Sequence, residues 1–280
     1  MDCAQFCPVG KLEKLLLSTD GSQYSEGAIR EAISFASKCS SKLYACIVLE
    51  TNPEYETIGS NVFEKEEEEA EAHLESIKAR AEKEGLVCET IFHESIKASE
   101  AIVDEATEKK VDMIVIGRHG RKGLSKAFMG EDAAKVIAHA PCKVLVVPKA
   151  ARIEYRNILV ATDGSIHSNA ALTEAIAIAK RCGSHLIALS AMRDETEREE
   201  AKNFSSKAVE MAQKEGVSAE AVTPMGRSFD TIVETAGGRG VDLIVMGTYG
   251  KTGVKKILMG SSTEKVIGNA GCAVLVVKAG

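Results

Sequence analysis

The sequence predicts an α/β fold built of two similar domains, each a parallel sheet with helices on both faces. Three observations carry this. Short, nearly continuous apolar runs alternate with longer amphipathic or charged segments, as buried parallel strands alternate with their covering helices. The first run of each half ends in Asp-Gly, at Asp20-Gly21 and at Asp163-Gly164. The whole pattern occurs twice. Ser18-Thr19-Asp20-Gly21-Ser22 returns as Ala161-Thr162-Asp163-Gly164-Ser165, and Val111-Asp112-Met113-Ile114-Val115-Ile116-Gly117 as Val241-Asp242-Leu243-Ile244-Val245-Met246-Gly247.

Taken in order, Leu12 to Ser18 and Asn157 to Thr162 are strands, each followed by a helix, Ser25 to Cys39 and His167 to Cys182. Both helices carry small apolar residues at helical spacing. Strands return at Leu43 to Leu49 and Leu186 to Met192, before long charged helices at Phe63 to Glu84 and about 196–215. The separation between the copies falls from 143 to 130 residues, because the first half inserts Thr51 to Ser60 before its long helix. Strands at Val87 to Phe92 and Ala219 to Thr223 lead to helices near Ser99 to Lys109 and Phe229 to Ala236. The apolar strands Met113 to Gly117 and Leu243 to Gly247 feed glycine loops, and a last helix and strand close each half. Two repeats of roughly 140 residues fit single domains, 1–150 and 151–280, with 148–155 as a short link. The closing strands, Lys143 to Val147 and Ala273 to Lys278, are strongly β-forming edges that invite pairing.

Composition excludes several classes. A formal charge of -6 argues against a nonspecific nucleic-acid binder. The acidic run Glu64 to Glu71 reads as a solvated helix face. No apolar stretch is long enough to cross a bilayer, and Met1 to Gly10 has neither a basic start nor an apolar core, so a cytoplasmic location is expected. Of the eight cysteines, Cys39 and Cys182 occupy equivalent positions, as do Cys142 and Cys272. All four are expected to be small buried hydrophobes in a reducing compartment. Cys3 and Cys7 have metal-like spacing, but no second pair completes a ligand set, so an unstructured lead-in and no metal site are expected.

The candidate site lies where the glycine loops meet the Asp-Gly turns. In parallel sheets, ligands bind outside the carboxyl ends of the strands. Asp20 and Asp163 end the first strands, and the loops leave the fourth strands. Gly117, Gly120 and Gly130 in the first half match Gly247, Gly250 and Gly260 in the second. Glycines let backbone N–H groups approach a ligand closely. The last glycine precedes a helix whose amino terminus suits an anion. Ser261 and Glu264 fit a capping box there, and Lys251, Lys255 and Lys256 add positive charge. The same segment would also serve as a plain strand-loop-helix turn. Gly250-Lys251-Thr252 imitates the end of a phosphate-binding loop, but Val245 stands where the first glycine is required. Neither half has G-x-G-x-x-G after its first strand.

The chain resembles the universal stress protein family in its tandem form, over nearly its whole length. The most specific element is the G-x2-G-x9-G-[Ser/Thr] loop, matched in full by Gly247, Gly250, Gly260 and Ser261. The first half matches in spacing but carries Glu131-Asp132 where the second has Ser261-Ser262. The resemblance implies five strands per domain in the order 3-2-1-4-5. It also implies an adenine nucleotide, ATP or AMP, as ligand. Residues carried over for the second half are Ala161, Thr162, Asp163 and Ala191 toward the nucleoside and Met246 and Gly247 along the ribose. Gly250, Gly260, Ser261, Ser262 and Thr263 would surround the phosphates. The first-half counterparts are Asp20, Val48, Ile116, Gly117, Gly120 and Gly130. In single-domain relatives the closing strand mediates dimers, which implies an intramolecular pseudo-dimer here, with a homodimer of whole chains left open.

A carboxylate favours a helix amino terminus without any ligand and repels a triphosphate. The second domain is therefore expected to be the principal nucleotide site, with the first empty or preferring less phosphate. No catalytic residue is identifiable: His119 in the first loop is replaced by Tyr249 in the second, and no Ser-His-Asp set or carboxylate pair recurs. A nucleotide-responsive binding module, not an enzyme, is the expected function. The alternatives are a slow ATPase in which Asp163 and Ser261 help hold Mg²⁺, and a scaffold with inactive sites.

Overall fold

The computed structural model describes residues 7–51, 60–119, 129–250 and 259–279. Gly120, Lys251, Lys255, Lys256 and most of the Thr51 to Ser60 insertion lie outside them. The first half runs β1 (Lys14–Thr19), α1 (Glu26–Cys39), β2 (Lys42–Glu50), α2 (Ser60–Lys83), β3 (Cys88–Ser95), α3 (Ala98–Glu108), β4 (Met113–Gly117), α4 (Glu131–His139) and β5 (Lys143–Val147). The second repeats it as β6 (Asn157–Ala161), α5 (Ile166–Cys182), β7 (His185–Leu189), α6 (Arg198–Lys214), β8 (Ala219–Val222), α7 (Ser228–Gly238), β9 (Leu243–Gly247), α8 (Ser261–Asn269) and β10 (Ala273–Val277).

The ten strands form one continuous sheet in the order β3-β2-β1-β4-β5-β10-β9-β6-β7-β8. Each half thus has the 3-2-1-4-5 order, and its strands pair in parallel. The halves meet through an antiparallel pair, with Val274, Leu275 and Val276 opposite Val146, Leu145 and Val144. This is the expected pseudo-dimer. Because the junction is antiparallel, the carboxyl ends of the two sets of strands point in opposite directions.

The alternation of side chains along each strand sorts the core into two layers. Leu15 and Leu17 of β1 join a layer with α1, α2, α5 and α6, whereas Leu16 faces residues of α3, α4, α7 and α8. The segments before the two first strands exchange halves. The link after β5 lies along α1: the Arg30 guanidinium donates to Ala151 O, and Phe35 meets Tyr155 edge-on at 6.1 Å. The arm before β1 reaches α5, where Gly10 (φ +76°) packs under the Arg181 guanidinium. Basic side chains also cross the junction to cap helix carboxyl ends. Lys278 Nζ donates to Ala138 O and Ala140 O at 2.9 and 2.6 Å, and Arg118 Nη1 donates to Ala270 O at 2.7 Å.

Two expectations require correction. Cys39 is not a free buried hydrophobe but is disulfide-bonded to Cys7, and Cys182 is also disulfide-bonded. The cause lies in the arm: Val9 and Leu12 are buried in the core, so residues 7–12 are no loose lead-in and Cys7 is carried to the end of α1. Cys142 and Cys272 are free, as expected, with Cys272 buried. The repeated Val-Asp before β4 and β9 has a structural role that the sequence reading missed. Asp112 Oδ2 accepts from the N–H groups of Glu13 and Lys14 at 2.7 and 2.9 Å. Asp242 accepts from Tyr155 and Arg156 at 2.9 and 2.8 Å. Each carboxylate anchors the start of the neighbouring first strand. Burial raises the Asp242 carboxyl, against the lowering effect of these backbone donors.

Leu145 and Leu275 face each other across the junction and are both fully buried. Each Leu→Ala change should cost about 2–5 kcal/mol of stability. The double variant should fall short of the sum, because the two share one cavity. Thermal denaturation of the three variants checks this; strict additivity would contradict direct packing across the junction.

Candidate functional site

Two clefts open at the carboxyl ends of the strands, one in each half, in the crevice between the first and fourth strands. The second has a volume of about 520 Å³ and the first about 720 Å³. Both fall in the usual range for small-molecule sites. Every residue assigned to the second site lines the second cleft: the end of β6 through Asp163, then Ala191, then Met246 and Gly247, Gly250, and Gly260 through Thr263. In the first half, Asp20, Val48, Ile116, Gly117 and Gly130 line the cleft.

The glycines answer to sterics that can be stated atom by atom. A Cβ on Gly247 would lie 2.7 Å from the backbone carbon of His167, so β9 meets the start of α5 only because Gly247 has no side chain. On Gly117 the nearest atom would be Ser25 Cα at 3.3 Å. A Cβ on Gly250 would lie 2.6 Å from Asp163 Oδ2, so the loop backbone passes directly beside that carboxylate. Gly260 N–H donates to Thr248 O at 2.9 Å, and Gly130 N–H to Arg118 O at 3.1 Å, which closes each loop at its base.

Asp163 Oδ1 accepts from Ser165 N–H at 3.0 Å, fixing its turn, and Asp20 Oδ1 accepts from Ser22 N–H at the same distance. Asp20 Oδ2 is buried without a hydrogen-bond partner among the described residues, an acceptor left for a donor in the cleft. Behind Asp20 runs a chain of hydroxyls: Ser25 Oγ donates to Asp20 Oδ1 at 3.3 Å and shares a 2.8 Å bond with Thr19 Oγ1. Thr19 Oγ1 in turn lies 3.3 Å from His73 Nε2 on α2.

The helix amino termini differ from the expectation. Gly260 is the N-cap of α8 and no side chain caps it, so Ser261 and Glu264 do not form a capping box. The reason is register: Ser261 is the first helical residue, one position too late to cap. Gly260, Ser261 and Ser262 line the cleft instead. Thr263 is committed elsewhere, since its buried Oγ1 donates to Gly247 O at 3.0 Å and ties the helix to β9. Gly130 likewise begins α4 without a side-chain cap. Glu131 does not cap that helix either, but pairs with Lys135 at 2.6 Å. That hydrogen bond raises the Lys135 ammonium, and the charges of Glu131, Asp132 and Glu50 add to it. The mouth of the first cleft is therefore acidic where that of the second carries hydroxyls.

Several lining residues escaped the sequence reading. Phe204 of α6 packs on Gly164, where a Cβ would lie 2.3 Å from its ring. Gly85 and Gly216 follow the long helices 131 residues apart, the same separation as His73 and Phe204. Carrying the repeat through those helices would have matched Phe204 with His73, the residue behind Asp20. Arg193 and Glu197 rim the second cleft, joined by Nη2–Oε1 and Nε–Oε1 contacts of 2.7 and 2.9 Å. An aromatic contact joins each helix start to its glycine loop with its partners exchanged. Tyr24 meets His119 at 6.2 Å in the first half, and His167 meets Tyr249 at 5.5 Å in the second.

The universal stress protein family model matches residues 11–148 and again 154–278. The chain belongs to the universal stress protein family. A universal stress protein of Methanocaldococcus jannaschii is 36% identical over 141 residues, covering 49% of this chain and 82% of the relative. One from Thermus aquaticus is 34% identical over 134 residues, 48% of this chain and 96% of its own length. A solved universal stress protein from Archaeoglobus fulgidus shares the fold with a TM-score of 0.74 at 21% identity, covering 95% of this chain and 98% of that one. No helix among the described residues is long and apolar enough to cross a membrane.

The contacts around the two strand-end glycines give a direct expectation. Gly247→Ala should destabilise the protein by roughly 1–3 kcal/mol through overpacking against His167, and Gly117→Ala by less. Chemical denaturation of both variants checks the ranking; equal effects would mean that the close approach at His167 is relieved by backbone shift.

Proposed function

We propose that this universal stress protein binds an adenine nucleotide in its second-domain cleft and acts as a nucleotide-responsive binding module. The observation that carries the reading is convergence. The Asp163 carboxylate, the Gly250 backbone beside it and the uncapped, hydroxyl-bearing start of α8 all line one 520 Å³ cleft. A helix amino terminus with free N–H groups favours an anion, and the low dielectric of a cleft strengthens that preference. Met246, Leu189, Ile232 and Ala191 supply apolar walls for a planar base. Asp163 would accept from a ribose hydroxyl, and Ser261 and Ser262 would donate to phosphate oxygens.

The first cleft supports a different preference. Glu131 and Asp132 occupy the first turn of α4, the position where phosphate would sit. Like charges in a partly desolvated cleft repel, so ATP is disfavoured there. The partnerless Asp20 Oδ2 still fits a hydroxyl donor, so a nucleoside or monophosphate remains compatible. Binding is the chemistry these groups support. Around the second cleft Asp163 is engaged by Ser165 and Glu197 by Arg193, which does not set up a base for water. Mg²⁺ would enter as a companion of the phosphates.

Calorimetry on the intact chain tests the assignment. Ser261→Glu places a carboxylate at the α8 terminus and should weaken ATP binding about tenfold or more, roughly 1.4 kcal/mol. AMP should be affected less. Asp20→Ala should leave ATP affinity unchanged. Loss of tight ATP binding in the Asp20 variant, with the Ser261 variant unaffected, would place the principal site in the first domain.

A further inference from the structure

We propose that Cys7 and Cys39 form a thiol-reversible latch that holds the amino-terminal arm across both halves when oxidised and releases it when reduced. Three observations place the latch. Cys39 and Cys182 are the last residues of the equivalent helices α1 and α5, and both are disulfide-bonded. The arm held by Cys7 touches both halves: Val9 and Leu12 enter the core layer shared by α1 and α5, and Gly10 lies under Arg181 of α5. Cys7 and Cys39 are themselves only partly buried, so a small dithiol can reach them.

The remaining cysteines of the described residues are placed to stay out of this chemistry. Cys46, Cys88, Cys142 and Cys272 are free and wholly or partly buried. Burial pushes the Cys46, Cys142 and Cys272 thiols up to about 12 and Cys88 to about 11. Exchange proceeds through the thiolate, so these four are nearly inert at neutral pH. Among the described residues, thiol–disulfide exchange is therefore confined to the helix ends.

The step balances with an external dithiol. One of its thiolates attacks a sulfur of the Cys7–Cys39 bond and the other cysteine leaves as thiolate. The second thiol of the reductant then resolves the mixed disulfide. Two electrons and two protons pass to the protein as a pair of thiols, and the reductant becomes a cyclic disulfide. The released arm loses a cross-link that closes a 32-residue separation. Val9 and Leu12 remain as its buried contacts with the core.

The test uses full-length protein purified without reductant. Cys7 and Cys39 should resist iodoacetamide until dithiothreitol is added, and then label, while native Cys46 and Cys272 stay unlabelled. Trypsin should cut after Lys11, an exposed residue of the arm, at least tenfold faster on reduction, and reoxidation should restore resistance. The melting temperature should fall by roughly 5–10 °C. Cys39→Ser should leave the arm open to trypsin without dithiothreitol, whereas Cys142→Ser should keep the response. Labelling of Cys7 and Cys39 before any reductant, or an arm equally resistant in both states, would overturn the proposal.

Discussion

The antiparallel pairing of β5 with β10 is the contact on which the rest of the molecule depends. A parallel sheet of five strands leaves an edge of unpaired backbone groups, and here each half covers the other's edge. Val144, Leu145, Val146, Val274, Leu275 and Val276 are all within 1% of complete burial, so the junction is core and not a surface contact between domains. Direction follows from it. The carboxyl ends of the two halves point opposite ways, and so do the clefts built on them. The link after β5 and the arm before β1 then lie in exchanged positions, each against the first helix of the other half. Lys278 and Arg118 reach across to helix ends for the same reason.

Within that frame the halves have diverged at positions where a ligand would touch them, while the elements that join the first and fourth strands are kept. Both keep the carboxylate that anchors a strand start, Asp112 and Asp242. Both keep the strand-end Asp and the glycine that admits the start of the first helix. The Tyr–His contact beside the loop survives with its partners exchanged, which preserves a ring contact while altering which side carries a titratable nitrogen. The lining itself differs: Phe204 walls the second cleft, and Glu131-Asp132 in the first stand against Ser261-Ser262 in the second. A cleft with carboxylates at its mouth and a hydroxyl-bearing cleft with an aromatic wall are thus built on the same frame.

Most of the fold was legible because parallel strands are buried on both faces and announce themselves as apolar runs. The repeat showed their succession along the chain twice over, and the 3-2-1-4-5 order in the sheet came from the family resemblance. The clefts were legible through Asp-Gly and the spaced glycines. What escaped depended on one-residue register or on contacts far apart in sequence. Ser261 and Glu264 have capping-box spacing, yet Gly260 takes the cap position and frees Ser261 for the cleft. Thr263 reads as another phosphate donor but is spent on Gly247 O. The Cys7–Cys39 bond follows from burial of Val9 and Leu12, two residues too few to form a periodic pattern. His73 and Phe204 lie on charged helices, where the repeat is weakest.

Membership of the universal stress protein family, one acidic cleft and one hydroxyl-bearing cleft lead to a single central claim: a tandem chain with one site for a triphosphate. Equilibrium dialysis of ATP against the intact chain, stripped of bound nucleotide, measures this most directly. One ATP bound per chain is the predicted result, with AMP or adenosine able to add a second ligand. Two equivalent ATP molecules per chain, or none, would contradict it.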